Sequence, residues 1–121
     1  MRTALVIEDN ENNMALIRFI LERNNYRVIE AVNGIAGVES ARSAEYDFIL
    51  LDIQLPDIDG LEVLKRIRAL GIGKPVIAVT SHAMAGDRTR LLEAGCDGYI
   101  EKPIDPEHIV DQIRVALENG V

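Results

Sequence analysis

Hydrophobic and polar positions along this chain follow two alternating rhythms. Short apolar runs, too brief for buried helices, recur between longer stretches in which apolar residues return every three or four positions. The runs predict strands over 4–7, 27–31, 48–51, 76–79 and 98–100. The helical period predicts helices over 11–24, 34–43, 61–70 and 84–94, and a last helix opening at Pro106, where Ile109, Val110, Ile113 and Leu117 repeat at helical spacing. Turn-forming residues stand at the joints: Asn24-Asn25, Asn33-Gly34, Gly71-Ile72-Gly73 and Gly95. Five strand–helix units with short connections imply parallel strands and right-handed crossovers. The expected fold is therefore α/β, a doubly wound five-stranded parallel sheet with five helices in three layers.

The middle strand is the most informative. Phe48-Ile49-Leu50-Leu51 is apolar throughout, as a strand covered on both faces must be, and it runs directly into Asp52. Pro56 disfavours helical geometry at Leu55 and Gly60 supplies freedom, so a loop follows. In open α/β sheets ligands bind beyond the carboxyl ends of the strands, which makes Asp52 the leading candidate for chemistry.

Composition narrows the choices. A chain of 121 residues, 48% hydrophobic, is expected to be one domain over 1–121 with a core large enough to need no disulfide or metal staple. Cys96 is the single cysteine, and no signal-peptide stretch or membrane span interrupts the sequence, so a reducing cytoplasm is expected. The net charge of −7 argues against phosphate-backbone binding as the main role.

Residues just past the strands are reactive types: Glu8-Asp9 after the first, Asp52 after the third, Thr80-Ser81 after the fourth, Glu101-Lys102-Pro103 after the fifth. The second strand runs into Val32-Asn33 without such a group, as expected of an outer strand in the order 2-1-3-4-5. Glu8, Asp9 and Asp52 would then meet at the switch point between strands one and three. Three carboxylates repel one another unless a cation compensates, and an all-oxygen site with few protein ligands suits Mg²⁺. Lys102 adds a second positive charge. Such a site makes sense for phosphoryl acceptance, with Asp52 as carboxylate nucleophile, the metal and Lys102 neutralising the transferred oxygens, and the Thr80 hydroxyl bonding the product.

Glu8-Asp9, Leu51-Asp52-Ile53-Gln54-Leu55-Pro56, Asp59-Gly60, Thr80 and Lys102-Pro103 match, in order and spacing, the pattern of receiver domains of two-component response regulators. The resemblance covers essentially the whole chain and implies a flavodoxin-like sandwich. It implies that Asp52 is phosphorylated from a kinase or phosphotransfer-protein phosphohistidine. It further implies that Asp9, Asp52 and the Gln54 backbone carbonyl bind Mg²⁺, with Glu8 assisting through water. By the same resemblance Thr80 and Tyr99 form a switch pair, and the Lys102–Pro103 bond is cis, aiming the lysine into the site. The opening Glu8-Asp9-Asn10-Glu11-Asn12 and Gln54 resemble the single-domain cell-cycle receivers similar to DivK. Glu8 departs from the more usual aspartate, and Gln54 and Ser81 fall at variable positions.

Several polar and apolar residues have plainer structural roles. Asp57 and Asp59 do not form a calcium loop, since Gly60 at its sixth position would put Leu55 first and Arg66 twelfth; they are expected to shape the turn and start the next helix. His82 and His108 are expected on the surface, and Cys96 as a small buried hydrophobe. Met14, Ile17 and Leu21 form the inner face of the first helix; because the resemblance makes that helix a kinase-docking surface, one or two of its apolar residues, Met14 foremost, are expected to stay exposed. An aspartyl-nucleophile phosphatase would carry a second aspartate where Gln54 stands, and a receiver without phosphorylation would show a damaged site. The expectation is a signalling module that catalyses only its own phosphorylation and slow dephosphorylation. With the last helix closing at 118–121, output is expected through protein contact on the fourth helix, fifth strand and fifth helix, around Arg88, Arg90 and Glu101, with no nucleic acid and no membrane.

Overall fold

A computed structural model describes residues 1–81 and 85–119. Its elements follow in the order β1 (Arg2–Ile7), α1 (Glu11–Arg23), β2 (Tyr26–Ala31), α2 (Gly34–Ser43), β3 (Phe48–Asp52), α3 (Gly60–Ala69), β4 (Val76–Thr80), α4 (Ala85–Glu93), β5 (Gly98–Glu101) and α5 (Ile109–Asn119). All strand pairs are parallel and the sheet order is β2-β1-β3-β4-β5, as expected from the reactive residues at the strand ends.

Alternation along the strands divides the interior into two cores. Ala4, Val6, Phe48, Leu50, Ile77, Val79 and Ile100 pack against α1 and α5. Leu5, Ile7, Ile49, Leu51, Val76 and Ala78 pack against α2, α3 and Leu91 of α4. Residues of β3 and β4 are buried throughout, which is why their sequences are apolar without alternation.

The helix ends obey local chemistry. Asn10 caps α1 by accepting from the amide of Asn13, Asn33 caps α2 through the amide of Ala36, and Asp59 caps α3 through that of Glu62. Three expectations need correction. The regular part of α5 begins at Ile109, because Asp105 draws residues 106–108 into a turn: its carboxylate accepts from Glu107 and its carbonyl from His108 and Ile109. Met14 is buried, at 5% exposure, and Phe19 is the large exposed apolar residue of α1, at 58%. The reason is rotation: Met14, Ile17 and Leu21 make one stripe, and Phe19, two positions past Ile17, falls on the far side of the helix, where the Arg23 guanidinium lies 5.3 Å from its ring. Third, Asp57 does not serve the next helix; its partners lie on α2 and are described below. His82 and Met84 lie outside the described residues. His108 is exposed, as expected, and bonds the Asp105 carboxylate at 2.6 Å.

Candidate phosphoacceptor site

The register of the sheet builds the site. Ile7 pairs with Leu51, so the residues that follow, Glu8 and Asp52, emerge side by side at the carboxyl edge. On the other flank Asp52 pairs with Val79 and Thr80 with Glu101, bringing Thr80 and Lys102 to the same edge; the Lys102 amide donates to the Thr80 carbonyl. The expected residues of four separate loops are thus brought together by hydrogen-bond register alone.

Glu8 and Asp52 are each 2% exposed, while Asp9 is exposed at the rim; one carboxylate oxygen from each lies within 4.8 Å of the others. Asp52 Oδ1 accepts from the Lys102 ammonium at 3.0 Å and from the Gln54 amide at 3.0 Å. Lys102 Nζ also stands 3.8 Å from Glu8 Oε1. The Lys102–Pro103 peptide bond is cis.

One cation between two buried carboxylates is too little. Glu8 Oε1 and Asp52 Oδ2 are buried without a hydrogen-bond partner, an arrangement costly in a low-dielectric setting. The Glu8 carboxyl is accordingly pushed up to about 7, first by burial and then by Asp52, with the Asn10 amide that donates to its other oxygen and the Lys102 charge only partly offsetting both. Two orphaned carboxylate oxygens beside an exposed third carboxylate are what a hard divalent cation with several waters would satisfy, so the donor set fits Mg²⁺.

The loop after β3 is held in several places. The Ile53 amide donates to the Val79 carbonyl, and the Gly60 amide to the Ile53 carbonyl at 2.8 Å. Gly60 packs so closely that a Cβ there would stand 2.4 Å from Ile53 Cα and 2.7 Å from the Asp52 carbonyl oxygen. Across the mouth, the Gln54 side-chain amide donates to Ser81 Oγ at 2.8 Å.

The switch-pair candidates occupy one face of the sheet. Thr80 is buried, at 3% exposure, and Tyr99, paired with Ala78, lies diagonally beside it. The Arg88 guanidinium sits 4.4 Å from the centre of the Tyr99 ring. Arg88 was expected on the output face, but its contact with the Tyr99 ring was not, and Asp57 was expected only to shape its own turn and start the next helix; neither contact leaves a local spacing signature.

Residues 4–114 match the response regulator receiver domain family. The chain is 41% identical over 118 residues to the polar-differentiation response regulator DivK of Brucella anthropi, covering 96% of each protein. Among solved structures it superposes with TM-score 0.90 on a CheY-like response regulator receiver domain protein from Methanospirillum hungatei, at 29% identity and covering 99% of this chain and 96% of that one. It also superposes with TM-score 0.83, at 36% identity and over 98% and 97% of the two chains, on the receiver domain of a sensor histidine kinase from Pseudomonas aeruginosa, which has a magnesium ion coordinated in its active site cleft. With the sheet order, the acidic edge and a match spanning nearly every residue in agreement, this chain belongs to the response regulator receiver domain family of two-component systems.

Proposed function

We propose that Asp52 is the phosphoacceptor of this signalling module and that Glu8, Asp9, Lys102 and Thr80 serve its reaction. The observation that carries the reading is the state of the Asp52 carboxylate: buried, held by Lys102 and the Gln54 amide through one oxygen, with its other oxygen lacking a hydrogen-bond partner. A carboxylate so placed is oriented for attack and needs no general base to assist it. It attacks phosphorus of a phosphohistidine; the P–N bond breaks, an acyl phosphate forms, and the imidazole departs.

Asp9, Asp52 and the Gln54 backbone carbonyl would hold Mg²⁺, with Glu8 acting through a bound water. When bound, the ion supplies charge neutralisation for the transferred phosphoryl oxygens. Lys102, already within ion-pair reach of both buried carboxylates, moves its charge onto a phosphoryl oxygen as Asp52 loses its own. Thr80 donates its hydroxyl to another, and the space it vacates admits the Tyr99 ring.

Two surfaces would carry the signal. A histidine kinase or histidine phosphotransfer protein approaches over α1 and the 103–106 loop, where Phe19 is exposed. A downstream protein reads the face of α4, β5 and α5, where Tyr99 lines one groove together with exposed Leu92 and Val115. The similarity to a polar-differentiation response regulator supports a role of that kind. Among the described residues no helix is long and apolar enough to cross a membrane.

Incubating the protein with acetyl phosphate, with and without Mg²⁺, and mapping the modified residue tests the reading. Mg²⁺-dependent, acid-labile incorporation on Asp52, abolished in a folded Asp52→Asn variant, is expected. Incorporation into that variant would refute the assignment.

A further inference from the structure

The junction between β2 and α2 carries no reactive residue, yet both acidic loops are moored to it. After β1, the Glu8 amide donates to the Ala31 carbonyl at 3.0 Å, fixing the backbone from which Glu8 and Asp9 project. After β3, the Asp57 carboxylate accepts from the Gly34 amide through Oδ1 and from the Ile35 amide through Oδ2, each at 2.8 Å. These are the first amides of α2, so the helix dipole adds to two charge-assisted bonds. The Asp57 carboxyl falls to about 2: partial desolvation opposes ionisation, but the amides of Ile35 and Gly34 outweigh it. Gly34 is tailored to this contact, since a Cβ there would meet Ile58 Cγ1 at 2.5 Å and Asp57 Oδ1 at 3.1 Å.

We infer that Asp57 is a positioning residue for the metal site. It ties the loop carrying Gln54 to the same junction that holds the Glu8–Asp9 backbone. The segment 53–59 is fastened at its base by the Ile53 and Gly60 amide bonds. Asp57 lies at its outer turn, on the side facing α2. Untethered, this turn swings about its base and the Gln54 carbonyl loses its fixed direction. Tethered, the two halves of the ligand set, from β1 and from β3, share one reference point and keep their spacing. The inference rests on the Mg²⁺ reading above, and extends it to a residue that would touch neither metal nor phosphoryl group.

The test compares Asp57→Ala with Asn33→Ala. Asn33 also caps α2, through the Ala36 amide at 2.8 Å, but makes no bond to the loop after β3. Both variants lose a cap on the same helix. Mg²⁺ affinity is read by titration of amide NMR shifts, and mooring by hydrogen exchange at Gly34, Ile35 and Gln54. Asp57→Ala is expected to weaken Mg²⁺ binding about tenfold, as loss of groups that orient metal ligands does, and to speed exchange at all three amides. Asn33→Ala is expected to leave Mg²⁺ affinity within about twofold. Asp57→Asn, which keeps one acceptor oxygen and guards against misfolding of the alanine variant, should fall between. Unchanged Mg²⁺ affinity in both Asp57 variants, or an equal loss in Asn33→Ala, overturns the inference. Failure of the unmodified protein to bind Mg²⁺ overturns the metal-site reading itself.

Discussion

Lys102 Nζ lies 3.0 Å from Asp52 Oδ1 and 3.8 Å from Glu8 Oε1, so one ammonium serves two buried carboxylates. Removing it while keeping its aliphatic stem, as in Lys102→Met, leaves those charges uncompensated. In metal-free buffer at pH 8 the variant should lose on the order of 3 kcal/mol of stability. Urea denaturation measures this, and added Mg²⁺ should restore most of it. A variant as stable as the parent at pH 8 would contradict the electrostatic account of the site.

Glu8 makes stability depend on pH with a defined sign. Its carboxyl is raised from 4.5 to about 7 in the folded protein, so the folded form keeps a proton that the unfolded chain has released. Metal-free stability should therefore fall as pH rises from about 4.5 to about 7 and change little above that. Glu8→Gln should remove this decline. Melting temperatures of both proteins in EDTA at pH 5 and pH 8 provide the comparison, with the larger drop, by several degrees, expected for the parent. Identical pH dependence in the two would rule out the cause.

Asp9 is the exposed member of the acidic trio and contributes no buried charge. Asp9→Ala should leave the fold's stability nearly unchanged while raising the Mg²⁺ dissociation constant at least tenfold, since in the proposed ligand set a sparsely ligated ion would lose a direct carboxylate. An unaltered Mg²⁺ titration would exclude Asp9 as a ligand.

Arg88 over the Tyr99 ring favours one ring position before any phosphorylation. A contact of this kind is worth about 0.5–1 kcal/mol at partly exposed sites, so Arg88→Ala should shift the Tyr99 rotamer population by roughly two- to fivefold. Side-chain NMR couplings of Tyr99 report it directly.

In the proposed switch, Thr80→Ala removes the hydroxyl that would link the phosphoryl group to Tyr99. The variant should still take up phosphate on Asp52 yet show little phosphorylation-dependent gain in partner affinity, because phosphorylation shifts binding only through a difference between two conformations. A full gain, measured by calorimetry against a stable phosphoryl mimic, would break the proposed coupling.

Much of this protein was written in its periodicities. Local spacing determines whether a segment is helix or strand, and apolar runs without alternation mark strands covered on both faces, so ten elements and their parallel order followed from the residues alone. Glu8, Asp9, Asp52, Thr80 and Lys102 were legible because strand ends in such a sheet converge on one edge, where position in the chain becomes position in space. Tertiary structure decided the rest, since those contacts depend on how distant segments meet. Asp57 reaches across 23 residues to cap α2 rather than its own helix, and no sequence spacing announces a bond between two loops. The helical register of α1 against the sheet chose Phe19 over Met14 for the surface. The folded packing also leaves Asp52 Oδ2 and Glu8 Oε1 buried without partners, a property of dielectric and distance that no string of letters contains.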